Sequence, residues 1–390
     1  MKFYSNTNVY DESIKRIEYF FNEFEEVVVG FSGGKDSTVT LHLALEVAER
    51  LNKLPLKVLF IDQEAEWQGT VDYVKKVMYN PKVKPMWFQM PIVITNNAST
   101  EHRYSYCWDA KKKDEWLHKQ DKISIKKNIY KTERFHDLFK AIFEVEFANK
   151  SACYLAGVRT QEAPKRLMSL TSGLTYKDIT YGKQLTKRLG HYTFYPIYDW
   201  EIKDVWKYIY DNNIEYNRIY DEMYKHGVNT NDMRISNLHH ETSIQNLLLV
   251  QEIEPDTWNR VSSRIAGSNS IKHLKTDAFK CPKELPYMFK DWEEYAFHLA
   301  DNLIKEDKYK NALYKRIDKT KKYIINDFIK QDVYRNIINT ILSSDWDFTK
   351  LNNFLSSQYF NTVKKYVDGK INKDNIAINR KYDKYIKGLI

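Results

Sequence analysis

Eight consecutive residues, Gly30-Phe31-Ser32-Gly33-Gly34-Lys35-Asp36-Ser37, place two adjacent glycines, a lysine, a carboxylate and two hydroxyls directly after the apolar run Val27-Val28-Val29. This set suits an anion. Adjacent glycines let backbone amides close round phosphate oxygens with no Cβ in the way. A helix starting near Ser37 would add unpaired N–H groups and a positive dipole end. Lys35 supplies a mobile full charge, and the hydroxyls of Ser32 and Ser37 can donate further hydrogen bonds. Asp36 could orient the loop, help hold a metal, or cap the helix. A Walker A loop would need glycine five positions before Gly34 and Ser or Thr after the lysine, where this chain has Val29 and Asp36, so that reading fails.

The elements around the loop must position it. Ile14, Ile17, Phe20, Phe21 and Phe24 recur at helical spacing, so a helix is expected over residues 10–25. The continuous apolar run that follows is that of a strand buried on both faces of a parallel sheet. Helical periodicity returns over 38–51. Strands are expected at 57–61, closed by Asp62, at 85–91, and at 152–158, ending in Arg159, with a helix over 69–78. The alternation predicts a doubly wound α/β fold with a mostly parallel sheet, its binding edge at the strand C-terminal ends. Residues from about 96 to 149 break the pattern and read as a helical insertion. From about His240 the sequence becomes helical and rich in Tyr, Lys and Asn. The expected division is an α/β domain over 1–235 and a helical, basic region over 236–390.

The run Ser32-Gly33-Gly34-Lys35-Asp36-Ser37 resembles the PP-loop of the ATP pyrophosphatases. That superfamily, with the adenine nucleotide alpha-hydrolase fold, includes phosphoadenosine phosphosulfate reductases, GMP synthetase and tRNA-modifying adenylating enzymes. Three further segments are similar to the reductase branch: Phe60-Ile61-Asp62-Gln63-Glu64-Ala65-Glu66-Trp67; Gly157-Val158-Arg159-Thr160-Gln161-Glu162 followed by Arg166; and Tyr195-Pro196-Ile197-Tyr198-Asp199-Trp200 continuing to Asp204-Val205-Trp206. The resemblance implies ATP and magnesium as cofactors, with Asp36 as a metal ligand. The nucleotide would be held by Ser32, Gly33, Gly34, Lys35, Asp36, Ser37, Asp62, Gly157, Arg159, Glu162 and Arg166, and Lys35, Asp36 and Arg159 would serve catalysis. On residue chemistry alone, Arg159 and Arg166 are either phosphate contacts or surface ion-pair partners. Trp200 and Trp206 read as core packing.

The reductases carry a nucleophilic cysteine in a glutamate-cysteine-glycine motif, which this chain lacks: Cys281 lies in Lys280-Cys281-Pro282. Thiol-based sulfonate reduction is therefore disfavoured. Tyr106-Cys107-Trp108-Asp109 with Lys112, Lys113 and Trp116, together with Met233-Arg234-Ile235 and Ile253-Glu254-Pro255-Asp256-Thr257-Trp258, resemble reductase-like proteins with an extra domain of unknown function. That group includes the prophage-associated immunoglobulin-binding regulator A type, and it implies a small ParB-like, sulfiredoxin-fold partner.

Composition bounds the rest. With 43% hydrophobic and 29% charged residues and no stretch near 18 uninterrupted apolar positions, a soluble, cytoplasmic protein without membrane insertion is expected. Cys107, Cys153 and Cys281 are scattered and form no CxxC pair, so reduced, incidental thiols are expected. Adjacent His239 and His240 would point about 100° apart on a helix and make a poor chelate. Residues 301–390 hold nineteen Lys and Arg against eleven Asp and Glu, an excess of eight within a whole-chain net charge of +9. That region would draw an anionic partner such as nucleic acid, or it is a solvated helical surface. The expected function is cleavage of ATP between its α and β phosphates to adenylate an acceptor. The alternative is a nucleotide-sensing module without turnover.

Overall fold

The run Val27-Val28-Val29 alternates between two apolar layers: Val27 and Val29 pack with the first helices, while Val28 packs on the opposite face with Leu59, Phe88 and Ile142. A strand covered on both faces must be apolar at every position, which is why this run shows no alternation. The computed structural model describes residues 6–371 except 96–103, 163, 172, 187–189, 236, 239–243, 266–279 and 344.

In chain order the first unit contains α1 (Val9–Glu23), β1 (Glu26–Gly30), α2 (Lys35–Arg50), β2 (Leu56–Ile61), α3 (Gln68–Met78), β3 (Val83–Phe88), β4 (Ile92–Thr95), β5 (Tyr104–Cys107), α4 (Phe135–Glu146), β6 (Ala152–Leu155), α5 (Pro164–Thr171), β7 (Gly182–Thr186), β8 (His191–Phe194), α6 (Ile202–Asp211), α7 (Ile219–Lys225), α8 (Ile244–Ile253) and α9 (Pro255–Arg264). Six strands form one sheet in the order β3-β2-β1-β6-β8-β7, all parallel except β7. The register pairs Val29 with Val58 on one side and with Leu155 on the other. This places the ends of β1, β2 and β6, and the loops that follow them, at one edge. The fold is α/β with a mostly parallel sheet, as expected.

Sequence periodicity did not reveal the β7–β8 pair or the small β4–β5 hairpin, which pairs Ile92 with Cys107. These strands have four or five residues each, too short for a period to register. The segment expected as a helical insertion holds β5, a short 3-10 turn at Ala110–Glu115 and one α-helix, α4.

Chain contacts divide the protein into residues 1–98 with 104–269, and a second unit of 99–103 with 270–390. The second unit contains α10 (Trp292–Leu303), α11 (Asp307–Lys321), α12 (Asp327–Leu342), α13 (Thr349–Leu355) and α14 (Gln358–Val367). Its core draws Ala296 and Leu299 from α10, Leu313 and Ile317 from α11, and Val333, Ile337 and Ile341 from α12, spaced so that each helix turns one stripe inward. Asp291 and Asn326 cap α10 and α12 by accepting the amides of Glu294 and Ile329. The C-terminal region is thus largely helical. No helix among the described residues is long and apolar enough to cross a membrane.

Candidate functional site

At the end of β1 the chain leaves the sheet and enters α2 through Phe31 to Gly34. Gly33 has φ +73°, and a Cβ there would stand 2.9 Å from Thr70 Cγ2, so both backbone and neighbours call for glycine. Gly34 is different. As N-cap it has φ −83° and ψ 160°, and the nearest atoms to an added Cβ would be the Ser32 and Tyr220 oxygens at 3.4 Å, ordinary contact. The helix begins at Lys35, two residues before the position expected, so Asp36 lies in its first turn where the dipole favours a carboxylate.

The loop is braced from within. The Ser32 amide donates to Ser37 Oγ (3.2 Å), and the hydroxyls of Ser37 and Thr38 both donate to the Gly34 carbonyl at 2.9 Å. The Lys35 amide donates to the Tyr220 hydroxyl at 3.1 Å. The amides of Gly33, Gly34 and Asp36 have no acceptor among the described residues. Gly157, after β6, lets that loop press against the helix start: a Cβ there would fall 2.6 Å from the Asp36 backbone carbonyl and 2.8 Å from the Ser37 nitrogen.

Lys35 is 5% exposed. Its ammonium donates to the Met233 carbonyl (3.0 Å), pairs with Asp36 Oδ2 (3.3 Å) and lies 5.2 Å from the Tyr220 ring centroid. Burial pushes its pKa below the ordinary lysine value; Asp36 pulls it back, while Arg159 and Arg234 add to the lowering. Arg159, 4% exposed, donates to Asp36 Oδ1 and to Gln161 Oε1. Arg166 bonds Glu162, and Arg234 donates to the Glu162 carbonyl at 3.3 Å. Burial lowers the Arg166 pKa, with Arg234 and Arg159 contributing. Lys35 and Arg159 therefore share the Asp36 carboxylate, Arg166 pairs with the Glu162 carboxylate, and Arg234 reaches the Glu162 main-chain carbonyl. Among the expected residues, the structure brings together Ser32, Gly33, Gly34, Lys35, Asp36, Ser37, Gly157, Arg159, Glu162 and Arg166.

Asp62 lies in a separate, fully buried network. Its oxygens accept from the Glu64 amide (2.9 Å), Trp87 Nε1 (3.2 Å) and Gln89 Nε2 (2.8 Å), and His118 Nε2 lies 3.0 Å away. Burial acts to raise the Asp62 pKa, but His118 and these hydrogen bonds hold it below the usual value. Burial likewise pushes His118 down, and the adjacent Asp62 more than offsets this, leaving it raised. Next to them Glu64, at φ +65°, accepts the Trp108 amide (2.6 Å) and Arg264 Nε (2.9 Å). Glu66 is buried, and desolvation with the nearby Asp62 charge raises its pKa well above the ordinary value. Glu254, between α8 and α9, accepts the Gln68 and Gly69 amides at 2.8 Å each and so caps α3.

Both oxygens of Asp36 face cations, and among the described residues no group of three or more His, Cys, Asp or Glu is placed to hold a metal ion. This arrangement does not fit a resident magnesium ion. His239, His240 and Glu241 lie outside the described residues. All three cysteines are free, and burial raises each thiol pKa. Trp200 is core: its indole N–H donates to Ser13 Oγ at 2.8 Å.

Sequence reasoning missed Tyr220, His118 and the part played by Arg234 and Arg264. Each acts across a long stretch of chain, as with Lys35 to Tyr220 at a separation of 185 residues. The run Met233-Arg234 was visible only as a segment of resemblance.

Comparison with known proteins supports the N-terminal assignment. The family model described as "Phosphoadenosine phosphosulfate reductase domain" matches residues 26–226, and a second, "Domain of unknown function (DUF3440)", matches 227–383. The uncharacterised protein YbdN of Escherichia coli is 29% identical over 310 residues, 76% of this chain and 75% of the relative. The uncharacterised protein MJ0973 of Methanocaldococcus jannaschii is 25% identical over 213 residues, 55% of this chain but only 41% of that protein. The crystal structure of a phosphoadenylyl-sulfate reductase from Candida auris, in a phosphate complex, is similar at 13% identity and a TM-score of 0.33, covering 61% of this chain and 98% of that one, too distant to argue from. Because the first family model spans 201 of the 390 residues, including the loop, Gly157 and the first two arginines, the chain belongs to the phosphoadenosine phosphosulfate reductase domain family.

Proposed function

We propose that the Ser32–Ser37 loop binds ATP and that the protein cleaves it between the α and β phosphates, adenylating an acceptor. The observation behind this is the set of amides at Gly33, Gly34 and Asp36 with no acceptor among the described residues, beside the buried Lys35 and Arg159, which share the single carboxylate of Asp36. An acceptor oxygen would form a bond to the α phosphorus as the bridging P–O bond breaks. The electron pair leaves with pyrophosphate, and the acceptor's proton passes to solvent. Negative charge grows on the leaving group, where preorganised amides and the Lys35 ammonium offset it. Lys35 would exchange the Met233 carbonyl for a phosphate oxygen. Its lowered pKa then rises toward the ordinary value, so binding should weaken as alkaline pH deprotonates it. Asp36 and Arg159 would hold the loop against Gly157. No step is assigned to magnesium, which enters only as the counter-ion carried on the incoming phosphates.

The acceptor is proposed to be nucleic acid or a protein, with the resemblance adding a small ParB-like partner in a cytoplasmic setting. Pyrophosphate release from ATP with candidate acceptors, in the wild type and in Lys35→Ala, tests the chemistry. Release that survives Lys35→Ala refutes it. A second reading, sensing without turnover, draws on the ties Lys35 and Arg159 already make to Asp36; intact ATP recovered after tight binding would favour it. Sulfonucleotide reduction is disfavoured because the thiols of Cys107 and Cys153 are buried and raised in pKa, and Cys281, between Lys280 and Pro282, lacks the glutamate-cysteine-glycine motif.

A further inference from the structure

Helix α11 presents Lys308, Lys315 and Lys319 to a cleft of about 500 Å³ whose other wall includes Asn352 of α13. The spacing of 7 and 4 residues keeps all three lysines on one helical face. They are exposed, and none has an ion pair among the described residues. Neighbouring lysines differ: Lys310, Lys321 and Lys322 are each tied to a carboxylate, of Asp301, Asp318 and Asp368. Arg316, also in the cleft wall, is anchored by stacking 3.9 Å from the Phe348 ring centroid, so the fixed positive edge is built into the core of the unit.

Eleven residues of helix separate the first lysine from the last, about 16 Å along the axis. One phosphate group cannot span that length; a row of phosphates can. Asn311 and Asn352 offer amide donors to the oxygens between the charges, and the cleft lining contains no aromatic ring for base stacking. We infer that this cleft binds the phosphodiester backbone of a nucleic acid, without reading its bases. This deepens the nucleic-acid part of the proposed function and is independent of the ATP chemistry.

The test is fluorescence anisotropy of the full chain, without nucleotide, on labelled 20-base-pair DNA from 50 to 200 mM salt. Three backbone contacts contribute about −2.7 to the slope of log K against log salt, so this fourfold rise in salt costs the wild type about 40-fold more affinity than the Lys308→Gln/Lys315→Gln/Lys319→Gln variant. The corresponding triple Lys→Arg variant should keep the wild-type slope. Lys310→Gln/Lys321→Gln/Lys322→Gln removes the same charge from paired positions and should change the slope by less than about 1. Lys35→Ala should bind like wild type, which separates failure here from failure at the ATP loop. Equal loss in both glutamine triples, a wild type without salt-dependent binding, or stronger binding to anionic lipid vesicles than to DNA would each overturn the inference.

Discussion

Substituting Gly34 by alanine separates what the fold needs from what a ligand needs. At φ −83° and ψ 160° an alanine is unstrained, and its Cβ would meet nothing closer than 3.4 Å. Weaker capping costs about 0.5–1 kcal/mol, and the stiffer unfolded chain gives back about 0.4–1 kcal/mol. Stability should therefore stay within about 0.5 kcal/mol, a Tm change of about 2 °C or less. A phosphate oxygen accepting the Gly34 amide would have to share its space with the new methyl group. Losing a hydrogen bond to a charged group costs about 1.5–3 kcal/mol, so ATP should bind about 10- to 150-fold more weakly. Calorimetric titration with ATP, alongside thermal unfolding, measures both quantities. Gly33→Ala is the companion: its left-handed φ and the 2.9 Å approach to Thr70 should lower stability by about 1–2 kcal/mol. An intact Gly34→Ala protein that binds ATP with the wild-type Kd would show that the loop does not wrap phosphates.

Three other outcomes follow from the buried polar groups. Glu66 keeps in the native state a proton that the unfolded chain releases above its ordinary value of 4.5, so its contribution to stability falls as pH rises from there toward the native pKa. Glu66→Gln should remove that decline and raise the Tm at pH 8 relative to pH 5, compared with wild type in calorimetric scans. Arg264→Met leaves Glu64, 2% exposed, without its cationic partner and should cost about 3 kcal/mol in urea unfolding. Glu254→Ala strips both accepted amides from the start of α3 and should cost about 1–2 kcal/mol by the same assay.

The loop between β1 and α2 was legible in the sequence because strand burial and glycine chemistry are local. Three valines, two glycines and a lysine in one short run carry both the fold position and the anion chemistry. Arg159 was legible as the end of a strand, but Gly157 was legible only through resemblance, since nothing local says that a glycine after β6 will press on the backbone of Asp36. Asp62 was legible as the polar end of a buried strand, but its partner His118 was not: 56 residues and an irregular segment separate them. Tyr220 and Arg234 were invisible for the same reason, because long-range hydrogen bonds leave no period in a sequence.

The two family segments meet at residue 227, yet the chain's own seam comes some forty residues later. The carbonyl that receives the Lys35 ammonium, the arginine beside Glu162, the carboxylate capping α3 and the guanidinium on Glu64 all come from beyond 227. A fragment cut at the family border would take the Met233 carbonyl from the buried lysine, the Glu254 cap from the start of α3 and the Arg264 cation from the buried Glu64 together. Any excision, fusion or exchange of the C-terminal unit that keeps the first unit intact must cut after Ile265, so the stretch before it travels with the Ser32–Ser37 loop.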